Sequence, residues 1–416
     1  MAQDVKILTW NIEQYGGKKA SFADIVEAIA KVVVDISPDI FVLLEIKTTI
    51  NLTAKAVVKT LADALYNLSG GNYRVAVISA NTGLEFYGFF IKNNANTVPL
   101  VPVKKVGGGS VTIIGDENLA YSDVEFRKKN TVGAGVEVLE KFPLISPDLD
   151  EYEDDEMEIG VPEWPGVRLP ALATFWCPNA TGARCLLPIA VCHFAAAHGT
   201  ALRQVKTLRY FSPFQGLGPP DPNNNIPTNP LSFTINLLNG VTFNATLQHY
   251  VLTGDFNLNY ISPAEQNLYN YIIGTTFPQL GARLYITEGT HLVTYANYNR
   301  EMKYTLQLAV NDYDNLMLRN NPNTMMPTDA GAAAVRDIPG LIMNRHLRLN
   351  ESVAHYSELD EKGFYGGIYN EYAVNYALQL GTGGLFVQSP INIQGSLVGA
   401  RLISDHLPVY FTVRMQ

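Results

Sequence analysis

Cysteine is scarce: 3 in 416 residues, each among apolar neighbours, which excludes a disulfide framework or a zinc site. Cys177, Cys185 and Cys192 read as buried thiols; the first two flank a turn-like stretch, 178–184, where a cross-strand pair would fit but a reducing compartment would leave it open. Positive charge is also short. Lys and Arg number 30 against 39 Asp and Glu, and the net charge of -9 excludes a protein that grips nucleic acid through a broad basic surface. It does not exclude an enzyme that meets a phosphodiester through a bound cation, because the ion supplies the local positive field. Missing too is an apolar run long enough to span a membrane, since residues 23–37 are interrupted by Asp24, Glu27, Lys31 and Asp35 and read as an amphipathic helix. The opening Val5-Lys-Ile-Leu-Thr9 reads as a strand with no basic or apolar leader before it, so the expected location is the cytoplasm.

What is present is apolar bulk. At 47% hydrophobic, the chain can bury a large core, and no repeat, heptad pattern or boundary divides it, so residues 1–416 read as one domain. Ile40 to Leu44, bounded by Pro38-Asp39 and Glu45, has the pattern of a strand buried on both faces. A helix from about Phe22 to Asp35 precedes it, and a second, from about Leu52 to Leu68, leads to the strand-like Tyr73 to Ile78. Phe86 to Ile91, Val111 to Ile114, Leu172 to Trp176, Leu186 to Cys192 and Tyr250 to Thr253 follow as strands separated by turns. The expected class is α/β, with mixed sheets packed face to face and helices outside. Three stretches read as surface insertions: about 146–160, which holds the acidic tract; 212–246, rich in Pro and Asn at its start; and 320–396, with helices expected near Ala332 and Asn370. The last has a Tyr-rich centre, either a cap over the site or an interface for a protein partner.

Four polar clusters stand at the ends of apolar runs: Trp10-Asn11, Leu44-Glu45, Gly254-Asp255-Phe256-Asn257 and Ser404-Asp405-His406. They supply three carboxylates, two carboxamides and an imidazole, the inventory of a divalent-metal phosphoesterase. If the strand from Tyr250 runs on through Asn257, Asp255 and Asn257 point the same way and grip a metal-bound water and a phosphate oxygen. Glu45 follows five apolar residues, where a carboxylate needs a cation, and oxygen ligands favour Mg2+ over zinc, with Mn2+ or Ca2+ as substitutes. Asn11 is placed to orient phosphate or the water shell of the ion. Asp405-His406 pairs a carboxylate that binds metal or orients the nucleophile with a base, and His193, closing the run 187–192, is the matching acid. His198, His249, His291, His346 and His355 read as structural.

These blocks, with Pro38-Asp39 and the extension Ser404-Asp-His-Leu-Pro-Val409, resemble the signature blocks of the endonuclease/exonuclease/phosphatase superfamily, which includes the deoxyribonuclease-I-like enzymes. The resemblance implies a four-layer sandwich of two mixed β-sheets flanked by helices, with Mg2+-dependent phosphoester hydrolysis at the rim of the sheets. It further implies that Glu85 supports a catalytic His193, that Arg168 in Arg168-Leu-Pro170 approaches phosphate, and that Asp314 orients His406. By the same resemblance the two histidines are general acid and base, Asp255 and Asn257 hold nucleophile and phosphate, and Glu45 and Asp405, with Asn11 and Asp255, hold the metal.

The chain departs from the phosphoinositide phosphatases of that superfamily, reading Asn257-Leu-Asn-Tyr260-Ile and Asp314-Asn-Leu where they carry recognition arginines. The expected activity is therefore diester cleavage, with DNA as the expected substrate. The alternative is a phosphatase or phospholipase acting on inositol phosphates or a lipid headgroup.

Overall fold

The computed structural model describes residues 3–47, 54–70, 73–80, 85–92, 98–106, 110–115, 168, 170–178, 184–207, 232–236, 242–246, 250–258, 283–284, 290–292, 309–311, 313–319, 325–327, 333–344, 346–349, 397 and 399–415. The acidic tract, the Pro/Asn-rich stretch 212–229, the helix expected near Asn370 and the Tyr-rich centre lie outside them.

The N-terminal strand β1 (Gln3–Tyr15) pairs in parallel with β2 (Ile40–Lys47) and antiparallel with the C-terminal β18 (Val409–Met415), so the two ends of the chain are neighbours in one sheet. β4 (Glu85–Lys92) and β3 (Tyr73–Ser79) continue it beyond β2. β16 (Met325–Pro327) and β17 (Ala334–Val335), both inside the stretch read as an insertion, add to β18 on the other side.

The second sheet runs from β10 (Thr242–Thr246) through β9 (Ser232–Asn236), β6 (Ser110–Gly115), β5 (Val98–Val106) and β7 (Ala171–Pro178) to β8 (Arg184–His193). It ends with β11 (Tyr250–Asp255), β15 (Asp314–Arg319) and β12 (Arg283–Leu284). The parallel pairing of β8 with β11 inside an otherwise mostly antiparallel array makes this sheet mixed as well. A short pair, β13 (His291–Leu292) and β14 (Ala309–Asn311), lies apart from both.

Alternation along the strands builds the layers. Val5, Ile7, Ile40, Val42 and Leu44 pack with Phe89, Val251, Leu316 and Phe411 between the sheets, while Leu8, Trp10, Phe41 and Leu43 turn outward beneath the helices. β2 is thus apolar on both faces because it is covered on both. The covering helices are α1 (Gly17–Ser21), α2 (Ala23–Ile36) and α3 (Ala54–Ser69). α2 stops where Ser37 takes a left-handed φ of 52° and donates its N–H to Val33 O, immediately before Pro38. The molecule is therefore an α/β sandwich of two mixed sheets with helices outside. α4 (His198–Thr207) follows β8, and among the described residues no helix is long and apolar enough to cross a membrane.

The helix expected near Ala332 starts later. Residues 334–335 pair with β18, and α5 (Ile338–Met343) begins only where the Asp337 side chain accepts from Gly340 N and Pro339 fits the first turn.

Candidate active site

The pivot of the site is Gly254. Its φ of 134° and its position against Cys192 leave no room for a side chain, since a Cβ would stand 1.9 Å from Cys192 O. That close approach lets β11 run beside β8 in the register Gly254↔Cys192 and Asp255↔His193, which sets the carboxylate next to the imidazole. The strand does not continue to Asn257 as the spacing suggested. Asn257 takes a φ of 48°, its N–H bonds to Asp255 Oδ1 at 2.9 Å, and its Nδ2 donates to Phe194 O at 2.9 Å. The polar pair is joined by a turn of the Asx type, because an Asp side chain offers the backbone two residues on a better partner than the strand does. Phe256 packs edge-on against Phe194 with ring centroids 5.2 Å apart, anchoring the turn in the core.

Two histidine–carboxylate pairs face each other here, and each bridges the two sheets. Glu85 on β4 of the first sheet meets His193 on β8 of the second, Nδ1 to Oε1 at 2.8 Å. Asp314 on β15 of the second meets His406 just ahead of β18 of the first, Nδ1 to Oδ2 at 2.6 Å. Both imidazoles turn Nε2 towards the same oxygen, Asp255 Oδ2, at 3.5 and 3.6 Å. Burial works against charge on either ring, but carboxylates outweigh it: Glu85, Glu45 and Asp255 raise His193, and Asp314, Asp255 and Asp405 raise His406 well above the ordinary imidazole value.

The supporting acids differ. Glu85 is 3% exposed and held by two cations besides the histidine: Lys47 Nζ at 2.6 Å, and Arg168 Nε 3.0 Å from both its oxygens. Burial alone would raise its pKa; the His193 hydrogen bond and these charges push it far below the carboxylate range. Asp314 is fully buried, its backbone N–H donates to Thr290 Oγ1 at 3.0 Å, and burial raises its pKa despite His406.

Asn11 is a connector. One amide nitrogen donates to Glu45 Oε1 at 3.2 Å and to Asp255 Oδ2 at 3.0 Å, while its Oδ1 accepts from Glu13 N. Both amide protons are thereby committed to carboxylates, so in this arrangement Asn11 joins two acids and does not reach outward. Glu45 sits in a bulge of β2 with a φ of 59°, receives Gln14 N on Oε2, and lies 3.5 Å from His193 Nε2. Burial would raise its pKa, yet His193, Lys47 and Asn11 lower it against the opposing charge of Glu85. Asp405 stands on the far side, 3.6 Å from His406 Nε2. Asp255, Asp314 and His406 form a cluster whose donor atoms all lie within 4.8 Å, a group able to hold a metal ion. Asp314 Oδ2 accepts the His406 Nδ1 hydrogen bond, and the oxygens of Glu45 and Asp255, drawn together by Asn11, stand beside this cluster as further oxygen donors for a cation.

Every site residue singled out in the sequence belongs to this one connected set of hydrogen bonds and close charge contacts. Others escaped it. Ser404 Oγ donates to Asn11 O at 2.6 Å and accepts His406 N, and Trp10 Nε1 donates to His406 O, fixing the C-terminal loop to β1. Thr9 and Thr253 share a hydroxyl hydrogen bond of 2.7 Å between the sheets, fully buried. Lys47 was legible, since it follows Glu45 by two on the same strand.

No family model and no curated protein matches the sequence. Among solved structures, the chain is similar to D. rerio TDP2 complexed with a single-strand DNA product, with TM-score 0.42, 12% identity, and 99% of both chains covered. It is also similar to an endonuclease/exonuclease/phosphatase from Bacteroides vulgatus, with TM-score 0.43, 10% identity, and 100% of both chains covered. A third is the Bacteroides thetaiotaomicron mannosyl-6-phosphatase Bt3783, with TM-score 0.36, 11% identity, 80% of this chain and 92% of that one covered. In its sequence blocks the chain resembles the endonuclease/exonuclease/phosphatase superfamily of deoxyribonuclease-I-like proteins.

Proposed function

We propose that the protein is a Mg2+-dependent phosphodiesterase that hydrolyses nucleic acid, with DNA as substrate. The observation that carries this reading is the pair of imidazoles, each backed by a carboxylate and each directed at Asp255 Oδ2, at 3.5 and 3.6 Å. Hydrolysis at phosphorus needs a proton removed from water on one side and delivered to the leaving oxygen on the other. Two histidines with fixed Nδ1 partners and inward Nε2 atoms suit that division, one neutral as base and one protonated as acid. Asp255 between them orients the attacking water. Arg168, beside Glu85, and Asn257, beside Asp255, are the side chains that would meet the non-bridging oxygens.

The donor set fits magnesium. Glu45 Oε1 and Asp255 Oδ2 approach the same Asn11 nitrogen, at 3.2 and 3.0 Å, and like charges gathered so closely call for a hard cation, with Asp405 completing the oxygen ligands. When bound, the ion would supply Lewis-acid stabilisation of charge on the phosphoryl oxygens. The side chains supply proton transfer and orientation.

The charge balance favours a diester over a monoester. A phosphomonoester brings a second negative charge, whereas Lys47 and Arg168 are both engaged by Glu85. The test is supercoiled plasmid incubated with Mg2+, with EDTA and His406→Ala controls. Nicked and linear products that vanish in both controls are expected. Untouched plasmid, with turnover of p-nitrophenyl phosphate but not of its bis ester, would overturn the assignment in favour of a phosphatase acting on inositol phosphates or lipid headgroups.

A further inference from the structure

Lys19 is a buried cation that the mechanism leaves unused. Lys19 belongs to α1, a single turn, yet it is only 8% exposed, and a lysine is seldom buried without a reason tied to its charge. Its Nζ donates to two backbone carbonyls from opposite ends of the chain, Ile12 O at 3.0 Å and Ile403 O at 2.8 Å. Ile12 follows Asn11, and Ile403 precedes Ser404-Asp405-His406. Burial lowers the Lys19 pKa, and Arg401 acts in the same direction; Glu13, Asp405 and Glu45 oppose that lowering in part.

A neutral donor would have sufficed to satisfy two carbonyls. The cost of burying an ammonium makes sense only if its charge is also used, and the acids that face it include two of the proposed metal ligands. The neighbouring ties are uncharged: Ser404 Oγ to Asn11 O and Trp10 Nε1 to His406 O. Arg401 adds a second buried cation, 5% exposed, which donates to Leu292 O while Leu292 N donates to Asp405 O.

We propose that Lys19 is a positioning residue of the metal site: its ammonium straps the backbone behind Asn11 to the backbone ahead of Asp405, fixing the separation of the two chain ends that carry ligands, and offsets the repulsion among their carboxylates. The proposal rests on the functional reading above. It deepens that reading by assigning ligand geometry to a residue that touches neither metal nor substrate.

The test compares the whole chain with Lys19→Met and Lys19→Gln, following Mn2+ binding by electron paramagnetic resonance and hydrolysis of bis(p-nitrophenyl) phosphate against Mg2+ concentration. Loss of the strap is expected to weaken Mn2+ binding and raise half-saturating Mg2+ by about tenfold, as for other residues that orient ligands from behind, with KM for the diester unchanged. Removing a positive charge would by itself tighten cation binding, so weakening identifies the strap. Unchanged or tighter binding in folded variants overturns the proposal. Lys19→Gln keeps a polar head for the buried position but is one chain atom too short to hold both carbonyls, so it decides the matter if Lys19→Met does not fold. If the wild-type chain binds Mn2+ but cleaves no diester, the functional reading fails, while the Mn2+ comparison still judges Lys19.

Discussion

Replacing Gly254 with alanine tests how tightly the site is built. The added Cβ would stand 1.9 Å from Cys192 O, 2.9 Å from its carbonyl carbon and 3.0 Å from its nitrogen, all backbone atoms that cannot rotate away. A carbon–oxygen contact relaxes at about 3.3 Å, so β8 and β11 must separate locally by roughly 1.4 Å, enough to break ladder hydrogen bonds. Overpacking of this kind costs about 1–3 kcal/mol, and holding a non-glycine residue at such a φ adds about 1–3 kcal/mol. At about 2.1 cal/mol/K per residue, a domain of 416 residues converts that sum into a Tm loss of roughly 2–7 °C. The displacement falls one residue from the Asp255↔His193 pair. A shift of about 1 Å in a catalytic group lowers turnover by about a hundredfold, so Gly254→Ala should reduce diester hydrolysis by at least that factor beyond its loss of folded protein. Calorimetry and bis(p-nitrophenyl) phosphate kinetics read the two effects. A Gly254→Ala chain that melts within about 1 °C of wild type, roughly 1 kcal/mol, and turns over normally would refute the account of strand contact.

Three further expectations follow from the site. Asp314→Asn keeps the shape but loses the acceptor that fixes the His406 tautomer, and should lower kcat about 10²–10⁴-fold with little change in KM; kinetics within threefold of wild type would exclude Asp314 from that role. Thr253→Val strands the Thr9 hydroxyl and Asn315 O between the sheets and should cost about 1–3 kcal/mol, measured by urea unfolding; a neutral result would show that the buried bond adds nothing to sheet docking. The third concerns pH in the metal-free protein. Because the folded values of His193 and His406 lie above the unfolded value of about 6.5, their contribution to stability is complete below that pH and is lost as pH rises through the folded values. Urea midpoints in EDTA should therefore fall from about pH 6.5 towards 8, and His406→Gln should flatten the decline; a midpoint that rises over this window contradicts the sign.

How much of this was legible depends on range. Ile40 to Leu44 declared a strand covered on both sides, and the helix at Phe22 to Asp35 lies within a residue of α2, because burial period and the Ser37-Pro38 stop are local signals. The strands of 232–236, 242–246, 325–327 and 334–335 were hidden, since short strands are made by their partners more than by their own composition. Asn257 was expected on the strand and sits in a turn, because the Asp255 side chain competes with the ladder.

By itself, the sequence determined the inventory: which acids, amides and imidazoles stand at the mouths of apolar runs, and that these runs form an α/β core. Only the tertiary structure decided their partnerships. Each histidine finds its carboxylate on the opposite sheet, and Lys19 finds carbonyls 7 and 384 residues away. No periodicity encodes such distances along the chain, because sheet-on-sheet packing sets them, and that packing depends on the whole core at once.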